Sequence, residues 1–130
     1  MSKKIIYTSN APEPIGPYSQ AVEANGMLFV SGQIPIDPKT GNVVDGGVTA
    51  QTKQVMENLL AILSAANCSF GDVLKTTIFI KDMNAFGQIN EVYGSYFDVN
   101  NAPARETVEV ARLPKDVLVE ISCVACVVHS

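Results

Sequence analysis

The sequence has a single histidine, His129, placed one residue from the end of a 130-residue chain. Serine–histidine–aspartate and cysteine–histidine catalysis both need an imidazole base, so neither has the parts it requires. A zinc site is likewise short of ligands. Cysteine is sparse, and Cys68, Cys123 and Cys126 form an odd set with no disulfide framework, as expected in a reducing compartment. Tryptophan is absent, charged residues make up only 17%, and the formal charge is -4. No field therefore favours a phosphate backbone or an anionic lipid surface, and nucleic acid is not an expected partner. "VDGGV" and "VSGQ" lack the spacing of phosphate-binding loops. No apolar run approaches the ~20 residues of a membrane span, and the "II" after two lysines near the start is far short of a secretory signal. The expectation is a soluble, cytoplasmic protein that binds neither nucleic acid nor membrane.

What the chain does have is apolar content, at 47%. One domain covering 1–130 can bury roughly two-thirds of its unfolded surface, and the remaining apolar excess points to self-association. "KKIIYT" reads as a short strand, and "SNAPEPIGPYSQ" as a loop stiffened by Pro12, Pro14 and Pro17 that can fix Tyr18 in place. In "AVEANGMLFVSGQI", Asn25 and Gly26 supply the positive φ of a tight hairpin turn. Val55, Met56, Leu59, Leu60, Ile62, Leu63 and Ala66 recur at helical spacing, predicting a helix over about 48–66. "VLKTTIFIK" is a strand, and "DMNAFGQINEVYGSYF" a second helix with Asp82 as N-cap and Phe86, Ile89, Tyr93 and Phe97 on its buried side. "ARETVEVA" and "VLVEISCVACVV" are two further strands joined by "RLPKD". The order β-β-β-α-β-α-β-β predicts an α+β fold, a mixed six-stranded sheet with two helices on one face. Two helices leave the other face open, and the last strand is apolar in both parities. That face carries Phe79 with either Val119, Ile121 and Cys123 or Leu118, Val124 and Cys126. Packing against the sheets of identical chains in a closed ring follows as an expectation.

"CVAC" at 123–126 invites a redox or metal reading, but strand positions three apart point to opposite faces, so these cysteines read as small apolar residues. Gly32 marks a bulge or a close backbone approach. Tyr18 reads equally as a loop anchor or a ligand contact. On "ARETVEVA", Arg105, Thr107 and Glu109 share one face, and Glu106, Val108 and Val110 the other. Glu120 is the only charge between Val117 and Val128, where an unpartnered carboxylate is costly. The short "RLPKD" turn predicts antiparallel neighbours, with Arg105 and Glu120 in one region. Two readings stay open: a structural ion pair, or an arginine that clamps a small carboxylate beside a glutamate that orients water.

"GPYSQAV", "LFVSGQIP", "INEVYGSYF" and above all "NAPARETVEVARLPKDVLVEI" resemble the reactive intermediate deaminase family, RidA type, nearly end to end. The resemblance implies a chorismate-mutase-like α+β fold and a homotrimer whose sheets pack into a central β-barrel, with clefts between subunits. It implies hydrolysis of the enamine and imine forms of 2-aminoacrylate and 2-aminocrotonate to 2-oxo acids and ammonia, with no metal or cofactor. Such a 2-iminobutanoate/2-iminopropanoate deaminase is a hydrolase acting on C=N bonds. Carried over by position, Arg105 holds the substrate carboxylate, Glu120 positions the attacking water, and Tyr18 closes the cleft. Ser31, Gly32 and Asn90 shape that cleft, and the main chain at Thr107 contacts the ligand. Relatives often carry cysteine where this chain has Thr107, which makes the role of that side chain a point of difference. A non-catalytic module that binds 2-oxo acids is the alternative reading.

Overall fold

A computed structural model describes residues 2–127. Val128 and His129, named above, lie outside them. The strands are β1 (Lys4–Ile6), β2 (Ala21–Ala24), β3 (Met27–Gln33), β4 (Val73–Ile80), β5 (Ala104–Glu109) and β6 (Val119–Cys126). The helices are α1 (Gly47–Ala65), after β3, and α2 (Phe86–Gly94), after β4. All six strands form one mixed sheet in the order β1-β2-β3-β6-β4-β5. The α+β class, the element order and the sheet predicted above are therefore present.

Local chemistry explains the elements. Asn25 (φ 53°) and Gly26 (φ 74°) form the two-residue turn between β2 and β3, with Ala24 paired to Met27. Positive φ at both central residues matches the right-handed twist of the flanking strands. In α1 the buried residues Val55, Met56, Leu59, Ile62 and Leu63 fall on one stripe. They join Ile78, Ile80, Ile121 and Val119 in a single core. Asp82 caps a 3₁₀ turn, Met83–Ala85, that leads into α2, its side chain accepting from the Asn84 N–H. The buried Gln20 side chain accepts from the Thr8 N–H and donates to the carbonyls of Thr8 and Pro12, tying down the proline-rich loop.

The strand order corrects one expectation. β5 pairs only with β4, and in parallel, while β6 lies antiparallel between β3 and β4. The "RLPKD" turn therefore carries the chain over one end of β4 and is not a hairpin. Strand chemistry accounts for it. β6 is apolar on both faces and takes the centre of the sheet, whereas β5, with Arg105, Glu106 and Glu109, suits an edge.

The parity of β6 is also settled. Val119, Ile121, Cys123 and Ala125 are buried towards the helices, and Glu120, Ser122, Val124 and Cys126 face the other way with Phe79. Cys123 and Cys126 lie on opposite faces, as the spacing predicts. The helix-free face carries Phe29, 50% exposed, together with Ile5 and Val108. Among the described residues these side chains stay exposed on that face.

Candidate functional site

Two clusters of chemistry-bearing side chains form on the sheet. The first surrounds Glu120, which projects from the helix-free face of β6 into a cleft of about 540 Å³ lined by Tyr18, Ser31, Gly32, Pro114 and Lys115 among others. Ser31 Oγ donates to the Ser19 carbonyl at 2.6 Å, and the Ser31 N–H donates to the Gln20 carbonyl at 2.9 Å. These bonds fasten the loop that carries Tyr18 to β3. Tyr18 is 53% exposed, and its hydroxyl accepts from the Ile15 N–H at 3.3 Å. It is both a loop anchor and a wall of the cleft.

Gly32 has a steric reason to be glycine. A Cβ built there lies 2.4 Å from Glu120 Oε2 and 2.8 Å from its Cδ, inside van der Waals contact. The carboxylate rests against the backbone of β3, at the register shift between Val30 and Gln33. Both features anticipated for Gly32, bulge and close approach, are present. Burial pushes the Glu120 carboxyl above the usual carboxylate range. Among the described residues it has no hydrogen-bond or ion-pair partner, and it is half-buried. Such a group can exchange a proton with a bound water or amine.

The second cluster lies on the opposite face. Arg105 pairs across the sheet with Thr76, which is buried on the helix side. Its guanidinium donates through Nη1 to Asn90 Oδ1 at 2.6 Å, and its Cζ lies 5.4 Å from the Phe86 ring centroid and 5.1 Å from that of Tyr93. The Arg105 and Tyr93 side chains open onto a cavity of about 420 Å³ with Ala102 and Pro103. Thr107 is on the same face of β5, opposite Ile78. Glu106 is on the other face, paired with Lys75 at 2.9 Å, and so points away from Thr107 as its position in the strand predicts.

The structure thus separates what the turn seemed to unite. Glu120 pairs with Phe79, which pairs with Val108, three residues beyond Arg105 on β5. Strand spacing and rise put the two Cα atoms roughly 14 Å apart. Because the side chains also leave opposite faces, the ion pair is excluded within one chain. Ser31, Gly32 and Tyr18 gather around Glu120, while Asn90 and Thr107 gather on the Arg105 side. Sequence reasoning missed two parts of this picture: Phe86 and Tyr93, assigned only to the core, flank the guanidinium, and Lys115 (φ 56°) reaches the rim of the Glu120 cleft. The signal for the aromatic pair was present, since Phe86, Asn90 and Tyr93 are spaced to share one helix face. A groove of about 630 Å³ between the helices, lined by Thr49, Lys53, Glu91 and Tyr96, is larger than either. It contains none of the residues of either cluster, and its tyrosine is already bonded to Glu57 at 2.7 Å.

The family model described as Endoribonuclease L-PSP matches residues 8–127, and curated relatives match almost end to end. A RutC family protein of Pyrococcus horikoshii is 58% identical over 123 residues, covering 95% of this chain and 97% of the relative. A protein of Salmonella typhimurium named 2-iminobutanoate/2-iminopropanoate deaminase is 52% identical over 124 residues, covering 94% and 96%. The chain belongs to the reactive intermediate deaminase (Rid) family. Among solved structures, Escherichia coli TdcF with bound serine superposes with a TM-score of 0.89 at 50% identity, covering 95% of this chain and 98% of that one. A Rid family protein of Yersinia pestis superposes with a TM-score of 0.94 at 49% identity, covering 97% and 100%. Among the described residues no helix is long and apolar enough to cross a membrane.

Proposed function

We propose that this Rid protein hydrolyses the imine forms of 2-aminoacrylate and 2-aminocrotonate to 2-oxo acids and ammonia, in clefts between subunits of a homotrimer. One observation carries the reading: among the described residues, a guanidinium with no carboxylate partner and a half-buried carboxyl with no partner each line an open cavity, on opposite faces of one sheet. Neither is complete alone, and a small imino acid needs both. The apolar helix-free face supports the assembly, since packing three such faces into a central barrel covers Phe29 and can bring the Glu120 cleft of one copy towards the Arg105 edge strand of the next. In this arrangement Arg105, Asn90 and Thr107 come from one subunit, and Glu120, Gly32, Ser31 and Tyr18 from its neighbour.

The chemistry asks little beyond placement. Arg105 takes the substrate carboxylate with two parallel hydrogen bonds. A water held by Glu120 attacks the electrophilic imine carbon, its proton passing to the carboxylate. The same carboxyl passes that proton to nitrogen, giving the neutral tetrahedral carbinolamine. It then takes the carbinolamine hydroxyl proton and delivers it to the amine as the C–N bond breaks, so ammonia leaves with both water protons and the 2-oxo acid keeps the water oxygen. Orientation and matching charge supply the acceleration.

The experiment couples a pyridoxal-phosphate-dependent serine or threonine dehydratase, which generates the imine in place, to semicarbazone trapping. Wild type should suppress trapping strongly; Arg105→Ala and Glu120→Gln should not. Equal trapping with and without the wild-type protein overturns the reading. The relative with bound serine favours a second possibility, a module that binds amino or oxo acids without turnover, and tight pyruvate binding without rate enhancement would establish it. The family description names an endoribonuclease, and the net charge of -4 gives a polyanion nothing to be drawn to. A nuclease-free preparation whose RNA cleavage vanished with Glu120→Gln would reverse that judgement.

A further inference from the structure

We propose that Phe86 and Tyr93 are positioning residues, an aromatic clamp that presents the Arg105 guanidinium to a ligand carboxylate. The proposal rests on the reading of Arg105 as the carboxylate anchor, and deepens it. Arg105 lies on β5, the edge strand of the sheet, and is exposed. A free arginine there samples many rotamers, and ordering it on binding opposes affinity. Here α2 supplies three contacts from one face. Asn90 Oδ1 accepts from Nη1 at 2.6 Å, and the rings of Phe86 and Tyr93 lie within 5.4 and 5.1 Å of Cζ.

The clamp is itself anchored. Tyr93 is buried, and its hydroxyl shares a hydrogen bond of 2.8 Å with Thr76 Oγ1, on the residue directly across from Arg105. Its ring packs on Phe97 with centroids 4.8 Å apart. Helix, neighbouring strand and arginine are thereby locked together.

Every one of these partners is neutral. The other guanidinium of the chain, Arg112, is held by Asp116 at 2.6 Å, and Lys75 by Glu106 at 2.9 Å. Among the described residues no carboxylate pairs with Arg105. Aromatic faces and an amide oxygen fix a guanidinium without cancelling its charge, leaving N–H groups for an incoming carboxylate. An acidic clamp would hold the side chain as firmly and compete with the substrate.

The test uses Phe86→Leu, Phe86→Tyr and Arg105→Ala in the full-length protein. Steady-state imine hydrolysis and calorimetric titration with pyruvate provide the readouts, and thermal denaturation checks folding. A cation–π contact at an exposed site corresponds to about a two- to fivefold change in affinity. Phe86→Leu should raise KM and the pyruvate Kd by that factor, with the loss falling on KM rather than kcat, as expected for a carboxylate gripped alike in ground and transition states. Phe86→Tyr should restore both. Wild-type pyruvate affinity in folded Phe86→Leu, with binding abolished in Arg105→Ala, overturns the clamp and leaves the anchor standing. Wild-type affinity in Arg105→Ala overturns the anchor itself. A loss in Phe86→Leu that Phe86→Tyr fails to restore, or that appears only in kcat and melting temperature, shows a packing role and overturns the clamp.

Discussion

Replacing Gly32 by alanine should disable the Glu120 cleft while leaving the fold nearly intact. The backbone at Gly32 is outside the left-handed region occupied by Gly16, Gly26, Gly41, Gly46 and Gly47, so a methyl group adds no conformational strain. What it adds is volume. The new Cβ meets Glu120 Oε2 at 2.4 Å, Cδ at 2.8 Å and Cγ at 3.1 Å. Ordinary van der Waals contact begins near 3.4 Å, so the carboxylate must move by about 1 Å. It can do so by rotating towards the open cleft, since the atoms in the way are the end of a side chain. A displacement of ~1 Å in a group that orients a reacting water costs on the order of a hundredfold in rate, or about 2.7 kcal/mol of activation free energy. Denaturation should move little, because the half-buried carboxylate forms no bond that the shift breaks. The assay is dehydratase-coupled imine hydrolysis beside a melting curve. If Gly32→Ala turns over within threefold of wild type, the carboxylate does not act from the position seen here.

The remaining predictions concern assembly and titration. Arg105→Ala and Glu120→Ala subunits, each inactive alone, should complement when unfolded and refolded together. Roughly three quarters of randomly assembled trimers are mixed, each with one intact cleft in three, so about a quarter of wild-type activity should return; no recovery would place both residues in one chain's site. Phe29→Asp, on the helix-free face, should convert a trimer to smaller species by light scattering, because a charge there must be desolvated to keep the sheets together. Trimers surviving that change would move the interface elsewhere. Glu120→Gln should stabilise the protein at neutral pH. Burial raises the folded-state pKa of this carboxyl, so its favourable neutral form is complete below the ordinary carboxylate range and is lost as pH rises through the raised value. The amide is neutral throughout, so melting temperatures of variant and wild type should converge near about pH 4 and separate by about pH 8, with the variant higher. Identical curves would mean that the carboxylate is well solvated.

The parts of the fold legible in the sequence were those governed by local periodicity. Side-chain alternation placed Arg105 and Thr107 together and Glu106 away from them, and it set Cys123 and Cys126 on opposite faces. The Asn25-Gly26 pair fixed a hairpin through φ alone. Strand order was not local, and the short "RLPKD" link misled by suggesting adjacency. The information that decides it was nonetheless in the strands themselves. β6 carries one charge in eight residues and needs neighbours on both edges, whereas β5 carries three in six and tolerates solvent on one side. Reading each strand for its place in the sheet, instead of reading the loop for its length, puts β4 between them.

That correction bears on chemistry as well as topology. Were β5 and β6 neighbours with Arg105 and Glu120 in one region, the two charges would neutralise each other and leave neither free. With β4 between them and opposite faces presented, the guanidinium is held by neutral partners, and among the described residues the carboxyl is held by none. The cost of keeping a carboxylate half-buried and unpaired is one that a structural role gives no reason to bear. It has a reason if the cleft must exchange a proton with something that arrives. The crossover that rules out the hairpin is therefore what leaves both charges available, as the proposed cleft between two copies of the chain requires.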